Sequence, residues 1–318
     1  MRFIIYGTGG IGGSIGGELH LAGYDVVLID VGEHIEKIKK DGLRLRGLPG
    51  DNIIKAPAAA RITDVEMRPD DVVFLATKSP ETKEAVDAAR GHVDPETPVF
   101  CFQNGVRNEE AASEYFNNVY GGVVLFSGTH ITPGEVIHTV DKGLAVGRYP
   151  DGMDETAEEV AKALTKAGFQ VTTSETIMKL KWRKVFMNLG NAVFASTDLC
   201  GQAIAWNKKL RGILADVQEE AYEVTQAAGI ELESMQGLPL IEKVLNHFRT
   251  MEDKPKKEIP EHMLLRPSTW QDVYLKRGRT ELDSFYGEIV RLGKEHGIPT
   301  PINQTLFDIV EEMVQKGE

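Results

Sequence analysis

The sequence predicts an α/β fold: a doubly wound parallel sheet in the first half, followed by an all-α second half. Three observations carry this expectation. Short apolar runs of buried-strand length recur through the first half and end on glycine or small polar residues. The first of these runs opens into a glycine-rich turn and a helix-length segment. Beyond residue 177 the apolar positions change from runs to helical spacing. We therefore expect two domains, residues 1–177 and 178–318.

Phe3-Ile4-Ile5-Tyr6 is the first strand, and Gly7-Thr8-Gly9-Gly10-Ile11-Gly12 follows at once. A small-residue segment from Gly13 to Ala22 reads as a helix, closed by Gly23. A second strand, Val26-Val27-Leu28-Ile29, ends on Asp30. Strand, glycine turn, helix, strand and acid make up a dinucleotide-binding βαβ unit of Rossmann type. In this reading Gly7 turns the chain off the strand, Gly9 lets backbone N–H groups approach a pyrophosphate, and Gly12 lets the helix pack close to the sheet. The phosphates rest on the positive end of the helix. Gly7, Gly9, Gly10, Ile11, Gly12 and Asp30 are the cofactor-binding candidates here. A glycine turn alone is a weak signal, and its context on both sides gives it weight.

Ile35 and Ile38 sit among charges, as on a short helix, and Leu43-Arg44-Leu45-Arg46 alternates as an exposed strand does. Val72 to Ala76 is a buried strand ending at Thr77-Lys78, and Pro98 to Phe102 is another ending at Gln103-Asn104-Gly105. Gly121 to Phe126 and Ala145 to Gly147 read as later strands, the latter after the turn Asp141-Lys142-Gly143, and Gly168 to Ser174 as the last. Ligand crevices open beyond the carboxyl ends of parallel strands, which makes Lys78 and Asn104 candidates. A solvated loop lysine and a plain Asn-Gly turn are the alternatives.

Composition narrows the function. The 318 residues are 42% hydrophobic and 26% charged, as in ordinary globular proteins. A net charge of −12 argues against a nucleic-acid surface. Cys101 and Cys200 lie far apart, which suits a reducing, cytoplasmic compartment. No apolar run approaches membrane-spanning length, so no membrane partner is expected. The eight His residues lack metal-ligand spacing, so no metal site is expected.

In the second half Val217, Ala221, Val224 and Ala228 recur at helical spacing before Gly229, and Leu306, Ile309, Val310 and Met313 do so near the end. Lys254 to Lys257, with Pro255, Pro260 and Pro267, mark a polar connection. Lys184 and Asn188 lie four apart and share a helix face that is otherwise largely apolar, with Leu180, Ala192 and Ala195 nearby on the wheel. Desolvation there suits a lysine to proton donation, and a snorkelling lysine with its head in water is the alternative. Ser268 and Asp272 are also four apart, Arg279 to Asp283 reads as a charged helix face or loop, and Gly297 to Asn303 is a turn opening the final helix. Apolar faces of a helical domain also suit pairing with a second copy as a homodimer.

Taken in order, the glycine loop, Thr77-Lys78, Gln103-Asn104-Gly105, Lys184 with Asn188, Ser268 to Asp272, Arg279-Thr280-Glu281-Leu282-Asp283 and Gly297 to Asn303 resemble the ketopantoate reductase (2-dehydropantoate 2-reductase) family. The resemblance implies NADPH-dependent reduction of a small 2-oxo acid to a 2-hydroxy acid, in pantothenate biosynthesis, with substrate between the two domains. By this resemblance Lys184 is the catalytic lysine that protonates the keto oxygen. Glu281 holds the substrate hydroxyl and helps to orient that lysine. Asn188 and Ser268 match substrate-binding positions, and Asn104 and Lys78 match positions near the nicotinamide end.

The chain departs from the family at three places. Ala192 stands where a second Asn is common, Tyr286-Gly287 where Asn-Gly often follows, and Leu264-Leu265-Arg266-Pro267 where the best-known members carry a substrate-contacting Asn. Arg266 is then a candidate clamp for the substrate carboxylate. Asp30 suits adenosine ribose hydroxyls and repels a 2′-phosphate, which favours NAD(H) over the family's usual NADP(H). A β-hydroxy-acid or opine-type dehydrogenase and a non-catalytic dinucleotide-sensing protein are the alternatives, and Thr280 to Asp283 argues against the first two.

Overall fold

The structure is a computed structural model that describes residues 1–140, 143–253 and 267–316. Arg266, the Asp141-Lys142 turn and the Lys254 to Pro260 connection lie outside the described residues. The chain divides into two compact units, Met1–Lys181 and Trp182–Glu318.

The first unit is built on an eight-stranded sheet. Strands β1 (Arg2–Tyr6), β2 (Asp25–Ile29), β5 (Ala58–Ala59), β6 (Asp71–Leu75), β7 (Val99–Cys101), β8 (Val119–Val124), β11 (Gly143–Arg148) and β12 (Gln170–Thr173) stand in the order β12-β11-β8-β7-β6-β1-β2-β5. The pairs from β5 through β8 are parallel. β11 runs antiparallel to β8 and parallel to β12, so the sheet is parallel only in its larger part. The apolar runs make strands buried on both faces. Phe3 and Ile5 point into one core with Ile15, Leu28 and Phe74, whereas Ile4 points into the other with Val27, Val73 and Val86. This period-2 alternation makes the sheet doubly wound.

A second, four-stranded sheet goes beyond the sequence reading. Its order is β4-β3-β10-β9, from β3 (Leu43–Gly47), β4 (Gly50–Ile54), β9 (Ser127–Thr129) and β10 (Glu135–Val140). The alternating segment at Leu43 is therefore not an exposed strand: Leu43 and Leu45 are fully buried. What they cover is helix α1 (Gly10–Leu21), which lies between the two sheets. A Cβ on Gly16 would come within 2.8 Å of Ile5 on the large sheet, and one on Gly17 within 2.7 Å of Leu45 on the small sheet. The glycines of α1 thus serve two packed faces, although glycine weakens a helix intrinsically.

In the second unit α9 (Lys208–Ala227) packs against α7 (Asn191–Thr197), α8 (Gly201–Ala205), α10 (Ile241–Thr250), α12 (Tyr286–His296) and α13 (Pro301–Lys316). Buried Arg211 of α9 donates to the Ala205 carbonyl at 2.8 Å and to Asp253 at 3.2 Å. Glu220 of α9 accepts the Ile302 and Asn303 backbone amides at 2.9 and 3.0 Å, which caps α13. Asn303, fully buried, also donates to the Val217 carbonyl at 3.0 Å. The turn at Gly297 to Asn303 is thereby tied into the helical core. The helical face from Leu180 through Ala195 is interrupted, because two residues, Leu189 and Gly190, separate α6 (Ile177–Asn188) from α7.

Candidate active site

In the first unit β1 lies between β2 and β6, with α1 following β1 and α3 (Thr82–Ala89) following β6. Strand order reverses there, and the crevice beyond such a point is where open α/β sheets bind ligands. The carboxyl ends of β1, β2, β6 and β7 lead to Gly7, Asp30, Thr77-Lys78 and Gln103-Asn104. The first-half candidates therefore stand at neighbouring strand ends.

Each glycine of the turn has its own physical reason. Gly7 has φ +100° and its Cβ would lie 2.4 Å from the Thr77 nitrogen, so both backbone and space require glycine. A Cβ on Gly12 would meet the Gly7 carbonyl oxygen at 1.9 Å, and one on Gly10 would meet the Gly128 carbonyl oxygen at 2.1 Å. Half-buried Ile11 packs against the core. Gly9 differs. It caps α1 with φ −69°, no side chain caps the helix there, and its Cβ would meet no atom within 4 Å. Packing and backbone leave Gly9 an open face at a helix N-terminus, where backbone amides and dipole suit an anionic group. The residues present fit a pyrophosphate.

Asp30 is joined to the turn directly. Its carboxylate accepts the Thr8 amide at 2.7 Å and the Val31 amide at 2.8 Å. His34 accepts the Gly134 amide at Nδ1 (2.9 Å), so its Nε2 carries the proton donated to the Thr8 carbonyl at 2.9 Å. Neither Thr8 nor His34 stood out in the sequence, where a buried His between a loop and a distant turn has no local signature. On the other side, the Lys78 amide donates to Glu81 at 3.3 Å and the Asn104 carbonyl accepts from Ser79 and Asn108.

In the second unit Lys184 is half-buried and its ammonium donates to Met187 Sδ at 3.5 Å. Burial lowers its pKa to about 8, and the adjacent Arg183 charge pushes the same way. Arg183 is 2% exposed and donates to the Pro239 carbonyl at 2.6 Å, and burial lowers its own pKa to about 10. Asn188 is buried as the last residue of α6, and the Tyr286 hydroxyl donates to the Leu189 carbonyl just beyond it. Ser268 opens α11 (Ser268–Tyr274), which Trp270 ties to Asp198 at 2.8 Å. Glu281 is buried next to a short 3-10 turn, Leu282–Ser284.

No described helix is long and apolar enough to cross a membrane. Comparison with known proteins adds the family. The model of "Ketopantoate reductase PanE/ApbA" matches residues 3–151, and that of its C-terminal domain matches residues 176–314. The 2-dehydropantoate 2-reductase of Pyrococcus horikoshii is 30% identical over 319 residues, covering 100% of this chain and 99% of that protein. The Pyrococcus abyssi reductase is 32% identical, covering 98% and 97%. Among solved structures, a D-mandelate dehydrogenase with NADH and anilino(oxo)acetate superimposes with TM-score 0.86 at 26% identity, covering 100% and 99%. The α/β architecture, the switch-point glycine turn and these full-length matches lead to one conclusion: the chain belongs to the ketopantoate reductase family and is an oxidoreductase.

Proposed function

We propose that this protein reduces ketopantoate, or a related 2-oxo acid, to the 2-hydroxy acid with NAD(P)H, and that it prefers NADH. The observation that carries the reading is the open face of Gly9 at the switch point, in a chain aligned over its length with curated reductases. A D-mandelate dehydrogenase of the same fold, solved with NADH and an oxo acid, supports the cofactor class. The bound nicotinamide supplies the hydride. Gly7 to Gly12 hold the pyrophosphate, Asp30 accepts ribose hydroxyls, and Lys78 and Asn104 serve the nicotinamide end. Lys184 gives its proton to the keto oxygen as negative charge builds there. Asn188, Ser268 and Arg266 bind the substrate, and Glu281 holds its hydroxyl and orients Lys184. A lysine whose pKa is about 8 is cationic at neutral pH and releases its proton readily.

The preference for NADH rests on the Asp30 carboxylate. Of the three lysines of α2 (Gly32–Asp41), Lys37 is paired with Asp41 at 2.6 Å and Lys39 with Glu36 at 2.9 Å, exposed pairs that compete only weakly with a 2′-phosphate, so Asp30 carries the argument. Two free cysteines, Cys101 and Cys200, suit a cytoplasmic compartment.

The test follows NADH and NADPH absorbance with ketopantoate, phenylglyoxylate and a panel of smaller 2-oxo acids. Turnover is expected with at least one acid, higher in kcat/KM with NADH. Absence of turnover with every acid would sink the reading, and a tenfold advantage for NADPH would sink the Asp30 argument.

A further inference from the structure

The turn that carries Asn104 is held by a buried ion pair which the proton-transfer scheme does not use. Lys181 is 3% exposed and Glu109 fully buried, and the lysine Nζ donates to the glutamate carboxylate. The same Nζ donates to the Gln103 carbonyl at 3.2 Å. From the other side the Gln103 amide donates to Thr77 Oγ1 at 3.1 Å and to Thr82 Oγ1 at 2.6 Å. Thr82 donates to Asn108 at 2.8 Å, and Asn108 donates to the Asn104 carbonyl at 2.6 Å. Every one of these residues belongs to the first unit.

Withdrawing two charges from water is costly, and an apolar pair of similar volume is often as stable or more so. Stability is thus a weak reason for this pair. Its geometry offers another. The carboxylate fixes the ammonium, the ammonium fixes the Gln103 carbonyl, and a planar trans peptide then fixes the Asn104 N–H in the opposite direction. We propose that Lys181 and Glu109 are positioning residues, a clamp that sets the Gln103–Asn104 peptide and with it the presentation of Asn104 at the nicotinamide end. This rests on the reading of Asn104 given above.

The experiment compares the full-length wild type with Glu109→Leu, Lys181→Met and their double variant. Tm, the NADH Kd from fluorescence titration, kcat and KM are measured for each. Each single variant strands one buried charge and lowers Tm. The double variant recovers most of that Tm while its kcat stays about 10- to 100-fold low, as expected for a misplaced group. Its NADH Kd changes little, because the pyrophosphate turn is untouched. Recovery of kcat together with Tm would make the pair merely structural and overturn the proposal. Should the double variant not fold, Lys181→Met alone, which removes the donor to the Gln103 carbonyl, decides: slowed kcat at unchanged Kd supports the clamp, and wild-type kcat overturns it. If the wild type turns over no 2-oxo acid, the functional reading fails and amide exchange still decides the clamp. Faster exchange confined to Gln103–Val106 in the folded variant supports it, and unchanged exchange there overturns it.

Discussion

In the first unit the candidate residues are held largely by main-chain groups, and in the second by side chains. Gly7, Gly10 and Gly12 are fixed by carbonyls and amides that lie where a Cβ would be, and Asp30 is fixed by two backbone N–H groups. Lys184 instead has one thioether contact and a charged neighbour, and Asn188 is followed by a carbonyl that Tyr286 secures. A backbone-held site has a sequence signature, because only glycine satisfies it. A side-chain-held site reads as ordinary helix until the family is known. The difference also predicts how each will fail: a Cβ at Gly7, Gly10 or Gly12 damages fold and binding together, and a change at Lys184 separates chemistry from stability.

The largest expected effect breaks chemistry alone. Lys184→Ala lowers kcat by about 10²- to 10⁴-fold, the usual worth of a general acid, with NADH Kd and Tm near wild type. Wild-type turnover in that variant would remove the mechanism. Gly12→Ala comes next, forcing a Cβ to 1.9 Å from the Gly7 carbonyl. Overpacking of this kind costs about 1–3 kcal/mol or more, so calorimetry registers a lower Tm and titration a loss of NADH affinity. Gly9→Ala is its control: with no atom within 4 Å of the new Cβ, stability stays within about 0.5 kcal/mol while NADH binding weakens. Asn303→Ala, which removes donors to Val217 and Glu220, costs about 1–3 kcal/mol in denaturant melts and leaves the NADH Kd unchanged.

The smallest effect is read from pH. The proposed proton transfer needs Lys184 protonated, so kcat/KM is expected to be level below about pH 8 and to fall above it. Arg183→Met removes the like charge beside Lys184 and moves that limb to higher pH. Stability carries the same signature with opposite sign. The folded pKa of about 8 lies below the ordinary 10.5, so the unfolded chain binds more protons between those values. The Lys184 contribution to stability therefore improves as pH rises through that window.

Much of the first unit was legible because its signals are local. β1, α1 and β2 follow from an apolar run, a glycine turn and a second run ending in an acid. The small sheet was not, because β10 pairs in parallel with β3 some ninety residues earlier, and no local pattern announces such a partner. The motif announces the packing of Gly12 on one sheet, whereas Gly10, Gly13 and Gly17 face the other. Lys184 and Asn188 were legible as a shared helix face, but their chemistry came from resemblance. Lys181, one helical turn earlier, has no local signature, since its carboxylate partner is 72 positions away.

Asp30 carries a further implication for how cofactor choice can change. The carboxylate that would turn away a 2′-phosphate is also the acceptor for the Thr8 and Val31 amides. By the proposed reading, exchanging it for a basic or apolar residue would alter selectivity and at the same time release the turn proposed to hold the pyrophosphate. A lineage drifting from one dinucleotide to the other must therefore pass through a small polar acceptor such as Asn or Ser at position 30, with any phosphate-binding cation arriving elsewhere. Recognition and architecture share a single side chain, and that sharing limits the routes by which this chain's cofactor habit can evolve or be redesigned.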